Sequence, residues 1–199
     1  PIPEEQIDKD EGILVCWIAN LKLIKSPERL FDIAGHLDDL NDVRFKMVGH
    51  PYPEASLQRA FERRLSEHDN VDYIGGLPQN EVNKMLGRAS LLVNTSPREG
   101  FSNVFIQAWM REVPVLTLGV NPDRLLDDGQ LGGAFGSARE LAGAIRELAR
   151  QPEQLASMGK HCRDFAMSNF SMSNADALAD LIVKSARDLP APEGNLEQS

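Results

Sequence analysis

Two cysteines in 199 residues, Cys16 and Cys162, are too few for a disulfide framework and predict reduced thiols. The four histidines, His36, His50, His68 and His161, stand in no His-x-x-x-His or Cys-x-x-Cys spacing, so no zinc site is expected. Aromatic residues make up only 6%. Basic residues are in deficit: 21 Lys and Arg against 30 Asp and Glu leave a formal net charge of −9. That balance speaks against a broad basic face for nucleic acid or anionic membrane, but not against one small basic pocket for a phosphorylated ligand. The longest apolar run, Ile13 to Ala19 (IleLeuValCysTrpIleAla), is far below a membrane span. No charged-then-apolar leader opens the sequence, so the expected compartment is the cytoplasm, with any membrane association peripheral and made through chain outside this segment. Low-complexity stretches and internal repeats are absent. No Gly-x-Gly-x-x-Gly follows the first apolar run and no P-loop lysine motif occurs, which removes the common dinucleotide and P-loop readings.

What is present is a globular profile, 42% hydrophobic and 26% charged, of one-domain size. Residues 1–11 are polar and Pro-bearing, as a linker would be, and begin without Met, which suggests a piece of a longer protein. The domain is expected over 12–189, and 190–199 reads as a disordered tail. Between the ends, strand and helix patterns alternate. Strands are predicted at Ile13–Ala19, Val43–Val48, Val71–Ile74, Ser90–Asn94 and Val113–Leu118. Helices are predicted at Pro27–Leu40, Glu54–His68, Gln79–Arg88 and Asn103–Arg111, with apolar residues such as Leu30, Phe31, Ala34 and Leu37 on one face. Ser26 reads as the N-cap of the first helix, with Pro27 at its first position. Beyond a Gly-rich passage (Gly129, Gly132, Gly133, Gly136), helices are expected at roughly 138–150, 152–168 and 172–188. Repeated strand–helix units predict an α/β, Rossmann-like, doubly wound and mostly parallel sheet with helices on both faces. The non-alternating runs IleLeuValCysTrpIleAla and SerLeuLeuVal suit strands covered on both sides.

In such sheets ligands bind beyond the carboxyl ends of the strands, which directs attention to five loops. The richest is ThrSerProArgGluGlyPheSerAsnVal, Thr95 to Val104. Its carboxylate at Glu99, its Gly100 and a helix start near Ser102 or Asn103 suit an anion pocket at a helix N-terminus. They suit equally a plain helix cap, with Glu99 favouring the dipole. Gln107 shares a helix face with Asn103 and faces either the cleft or solvent. Lys25, after the first strand, fits a phosphate contact or an ordinary loop lysine. His50, beside Gly49, is the one histidine placed to meet a ligand. AspLysAsp at Asp8–Asp10 precedes the first strand and reads as a solvated charge run, not a metal motif.

Four stretches together resemble the C-terminal, nucleotide-sugar-binding domain of GT-B retaining glycosyltransferases of family four (group 1 glycosyl transferases). IleAlaAsnLeuLysLeuIleLysSer resembles Gly-Arg-Leu-x-x-x-Lys-Gly, and PheLysMetValGlyHis resembles the family's second strand and Gly turn. ValAspTyrIleGlyGlyLeuPro resembles Val-x-Phe-x-Gly-x-Val. The stretch from Thr95 to Val115 resembles Pro-Ser-x-x-Glu-Gly-Phe-Gly-x-Val-x-Leu-Glu-Ala-Met-Ala-x-Gly-x-Pro-Val. The resemblance implies one half of a GT-B fold and transfer of a sugar from a UDP- or GDP-type donor to an acceptor hydroxyl, without a cofactor or metal. It implies that Glu99 contacts the transferred sugar as the catalytic carboxylate. Lys25 and Gly100, Phe101, Ser102, Asn103 and Val104 would hold the diphosphate, Ile74 and Leu77 would hold the base, and His50 would belong to the donor-binding residues. Two departures stand out: Asn20 occupies the family's Arg position at the diphosphate, and Gln107 occupies the second Glu position at the ribose. An N-terminal GT-B domain of the same full-length protein would supply the acceptor site, and this segment alone is expected to turn over nothing. The rival readings are a degenerate, non-catalytic GT-B half, to which Asn20 and Gln107 point, and a GT-B nucleotide-sugar epimerase or phosphorylase domain.

Overall fold

The computed structural model describes residues 7–98 and 100–170. Six strands form one parallel sheet: β1 (Ile13–Ile18), β2 (Val43–Val48), β3 (Val71–Gly75), β4 (Leu91–Asn94), β5 (Val115–Leu118) and β6 (Gly132–Phe135), in the order β3-β2-β1-β4-β5-β6. The order reverses between β1 and β4, so the crevice at the switch point opens beyond the carboxyl ends of these two central strands. Among the described residues six α-helices connect or flank them: α1 (Glu28–Gly35), α2 (Ala55–Leu65), α3 (Gln79–Arg88), α4 (Asn103–Trp109), α5 (Ala138–Ala149) and α6 (Pro152–Phe170). The expected doubly wound α/β architecture is the observed one.

Both faces of the centre carry core. One cluster joins Val15 and Trp17 of β1, Phe45 and Met47 of β2 and Val93 of β4 to Phe31 of α1, Phe61 of α2 and Ile145 of α5. The other joins Leu14 and Cys16 of β1 and Leu92 of β4 to Leu86 of α3, Phe105 and Trp109 of α4 and Cys162 of α6. Each large side chain wholly removed from water stabilises the fold by roughly 2–3 kcal/mol. Burial pushes both thiols, Cys16 and Cys162, up to about 12, which leaves them protonated and inert. Coverage on both faces does not extend to β2 and β3. There Arg44 and Asp72 stand exposed and Lys46 half-buried on the second face, and both strands alternate as half-buried strands do.

Three local expectations need correction. Ser26 does not cap α1. Its φ of 45° is left-handed, and it closes the 3-10 turn Leu23–Lys25, its hydroxyl and its N–H both donating to Leu23 O, while Pro27 takes the N-cap position. The Gly-rich passage contains β6, which hydropathy alone concealed. A Cβ at Gly132 would lie 1.8 Å from Val115 O, so the strand needs glycine to reach its neighbour. The AspLysAsp run is not simply solvated: the Lys9 ammonium donates to Ala89 O (2.7 Å), Arg111 O (2.8 Å) and Glu112 O (3.3 Å), and Asp10 pairs with Arg88 (2.7 Å). Lys9 thereby supplies donors to carbonyls at the C-terminal ends of α3 and α4. The residue as a whole is exposed, while burial of its amine lowers it to about 8. Helix α5 is capped by Ser137, whose Oγ accepts from the Glu140 N–H at 3.2 Å. The helix predicted at 172–188 and the tail lie outside the described residues, as do residues 1–6.

Candidate functional site

The carboxyl ends of β1, β2 and β3 are stitched together by backbone bonds. The Ala19 N–H donates to Val48 O (3.0 Å), Leu21 N–H to His50 O (2.9 Å) and Gly49 N–H to Gly75 O (3.0 Å). Such close approach needs a bare backbone at Gly49, where a Cβ would fall 1.7 Å from Ala19 O. Asn20 completes the stitch: its Oδ1 accepts from the His50 N–H at 3.1 Å. This side chain therefore ties two loops together. Tyr73 adds a further tie, its hydroxyl donating to Gly49 O at 2.8 Å.

Above these loops lies a pocket of about 170 Å³, lined by Ile18, Ala19, Asn20, Val48, Gly49, His50, Gly76, Leu77 and Val82. Its lining mixes the apolar Ile18, Val48, Leu77 and Val82 with the polar Asn20 and His50, a composition that suits a flat heterocycle with polar edges. His50 reaches its position because Gly76 carries no side chain: a Cβ there would stand 2.6 Å from two ring atoms of the imidazole. The structure thus brings Asn20, His50 and Leu77 to one pocket. Ile74 is not part of its lining; it projects from β3 with 42% of its surface exposed.

The central strands carry the second part of the site. Thr95, at the end of β4 and wholly buried, accepts from Trp17 Nε1–H (2.8 Å) and donates through its own hydroxyl to Lys25 O (2.8 Å). This relay ties β1, the end of β4 and the 3-10 turn, and it holds the half-buried Lys25 beside the β4–α4 loop. The Ser96 N–H donates to Asn94 Oδ1 at 2.9 Å, a local Asx turn that starts this loop.

Within the β4–α4 loop, Glu99 lies outside the described residues, so the catalytic candidate is placed by sequence alone. At Gly100 a Cβ would meet no described atom within 4 Å. Phe101 is half-buried and turns its ring into an aromatic cluster, 6.5 Å from Phe105, 5.9 Å from Trp109 and 5.4 Å from Phe170. Its ring is therefore committed to packing, and its backbone is what remains for the loop. Ser102 is the N-cap residue of α4 with extended φ and ψ (−88°, 128°), and its side chain makes no cap bond. Asn103 is exposed, while Val104 packs against the second core cluster. One turn further, Gln107 accepts at Oε1 from Gln79 Nε2 (3.2 Å), on the first turn of α3. No motif had singled out Gln79. Its partner is 28 residues away, and two glutamines at that separation carry no one-dimensional signal.

Among the described residues no three His, Cys, Asp or Glu side chains gather as a metal cradle, and no described helix is long and apolar enough to cross a membrane.

Comparison with known proteins agrees with this geometry. The family model described as "Glycosyl transferases group 1" matches residues 12–151. A curated relative, "Glycosyltransferase 1 domain-containing protein 1" of Xenopus tropicalis, is 24% identical over 160 residues, which is 80% of this chain and 46% of that protein. The crystal structure of Anabaena HepE in complex with UDP and glucose superposes with a TM-score of 0.72 at 18% identity, over 85% of this chain and 49% of HepE. The C-terminal domain of the group 1 glycosyl transferase LpcC from Francisella tularensis matches with a TM-score of 0.69 at 17% identity, over 84% of this chain and 89% of that domain. The chain spans about half the length of the curated relative it matches. With the family model covering most of its length and a sheet built like those of GT-B proteins, the chain belongs to the group 1 glycosyl transferases.

Proposed function

We propose that this chain is the donor-binding half of a retaining glycosyltransferase, binding a nucleoside diphosphate sugar across the carboxyl ends of β1, β2 and β4. The observation that carries the reading is the adjacency of two unlike subsites: a pocket of mixed apolar and polar lining that includes Asn20 and His50, and a cationic turn at Lys25 fastened to the β4–α4 loop by Thr95. A base and a diphosphate, joined by a ribose, require that pairing. HepE, solved with UDP and UDP-glucose, shares the fold and supports a UDP-type donor.

In this reading Lys25 and the backbone N–H groups of Gly100–Val104 meet the diphosphate and stabilise the charge that grows on it as the glycosidic bond breaks. Glu99 holds the sugar by its hydroxyls and sets its angle to the acceptor. Gln107 hydrogen-bonds the ribose as a neutral group. Asn20 brings no charge, so Lys25 carries more of the diphosphate than it would beside an arginine. The acceptor site belongs to an N-terminal GT-B domain, and the 199 residues alone bind donor without transferring sugar.

Calorimetric titration with UDP, GDP, ADP and TDP tests the reading and names the base. One nucleotide should saturate, and Lys25→Ala should weaken it about ten- to a hundredfold, the loss of one charge-assisted contact. Absence of binding to every nucleotide would favour the second reading, a non-catalytic half, which the engagement of Asn20 with the His50 N–H supports.

A further inference from the structure

Gln79 occupies a position that the chemistry of the ligand makes informative. A nucleoside diphosphate is linear in its parts: base, ribose, phosphates. The pocket assigned to the base is walled by Leu77 and Val82, which flank Gln79 along the chain. The loop assigned to the diphosphate ends at Asn103, where α4 begins, and Gln107 lies one turn into that helix. The bond from Gln79 Nε2 to Gln107 Oε1 (3.2 Å) therefore joins the element beside the base pocket to the element beside the phosphates. That is the stretch a ribose must occupy.

The bond also fixes which end of the Gln107 amide is taken. Gln79 Nε2 has two protons, and its second acceptor is Asn83 Oδ1 at 3.1 Å, one turn along α3. Anchored at both, Gln79 holds Gln107 by its oxygen and leaves the Gln107 amide nitrogen, with its two N–H donors, as the group to offer a ligand. A carboxylate at 107 would have only acceptors to offer; this pair offers donors to a sugar oxygen.

We infer that Gln79 is a positioning residue for ribose recognition: it orients Gln107 so that the amide N–H groups of Gln107 donate to a ribose hydroxyl of the bound nucleotide. The inference rests on the donor-site reading above. Without Gln79, the Gln107 side chain regains its rotamers and the ribose contact is lost, although neither the base pocket nor Lys25 changes.

The test is calorimetric titration of the 199-residue chain with UDP, GDP and ADP, each alongside its 2′-deoxy counterpart. Wild type should prefer the ribonucleotide it binds by about tenfold, the worth of one hydrogen bond at the upper end of the usual range. Gln79→Ala and Gln107→Ala should each weaken that ribonucleotide about five- to tenfold and leave the deoxy form unchanged, so that the preference falls to near one. A role of Gln79 in folding alone would weaken both nucleotides equally, and that result overturns the inference, as does a wild-type preference of one. A preference that survives intact in Gln79→Ala overturns it too. Failure of the wild type to bind any of the six nucleotides or TDP would overturn the donor-site reading itself.

Discussion

Replacing Thr95 by Val removes one oxygen and almost no volume, yet it should be among the most damaging conservative changes in the chain. The hydroxyl accepts from the Trp17 indole and donates to the Lys25 carbonyl, both at 2.8 Å. Thr95 is 0% and Trp17 2% exposed, so no water replaces the lost partner of the indole N–H. An unsatisfied buried donor costs about 1–3 kcal/mol; the carbonyl of the half-buried Lys25 has some access to solvent and adds roughly 1 kcal/mol. The expected loss is about 2–4 kcal/mol, read by urea denaturation as a fall of about 1–2 M in midpoint at unchanged slope. Thr95→Ser keeps the bridge and gives up one methyl, about 1 kcal/mol. The variants should rank wild type, Ser, then Val. If Val instead lies within about 0.5 kcal/mol of wild type while Ser is the weaker protein, the methyl and not the hydroxyl bridge matters, and the relay argued here is refuted.

Other consequences follow from particular residues. Glu112 sits at φ 60°, left-handed for a residue with a side chain, where the family pattern has Gly; Glu112→Gly should stabilise by about 0.5–1 kcal/mol, seen as a higher melting temperature. Gly76→Ala should push the His50 ring from the pocket rim and lower nucleotide affinity at least fivefold in calorimetry while leaving the melt within a few degrees, since a Cβ there collides with the imidazole, at the far end of a side chain. The Lys9 amine is lowered to about 8 from its ordinary 10.5, so between these values the unfolded chain holds more protons than the folded one. Wild-type stability relative to Lys9→Met should therefore rise with pH across that window, and a denaturation series from pH 7.5 to 10 that showed a fall would contradict it. At pH 7 the same Lys9→Met should destabilise by about 1–3 kcal/mol, since three carbonyls lose their donor.

How far the chain was legible depends on where each determinant lies. The central strands β1 and β4 announce themselves as unbroken apolar runs because both of their faces are covered, whereas the reversal of order between them is a matter of strand pairing that alternation alone does not fix. Strand β6 is silent in hydropathy: GlyGlyAlaPhe pairs closely with β5 only because Gly132 lacks a Cβ, a requirement of tertiary approach that no local propensity expresses. Ser26 looked like a cap because its hydroxyl fits that role, but the 3-10 turn before it claimed the bond first. The loops of the site were found by position at strand ends, whereas the work of Asn20, Thr95 and Gln79 was not, since each acts through a partner 28 to 78 residues away. Lys9 was hidden for the same reason, its acceptors lying 80 to 103 residues further on.

The central claim is that a nucleoside diphosphate binds over the carboxyl ends of the central strands. It is tested most directly by following the backbone amide resonances of the isotope-labelled chain during titration with UDP and, in parallel, GDP. The account predicts saturable shifts concentrated at Asn20–Lys25, Gly49–His50, Gly76–Gln79 and Gly100–Gln107, with Lys9 and the far ends of the strands unmoved. Shifts centred on the opposite edge of the sheet, or no saturable shift with either nucleotide, would contradict it.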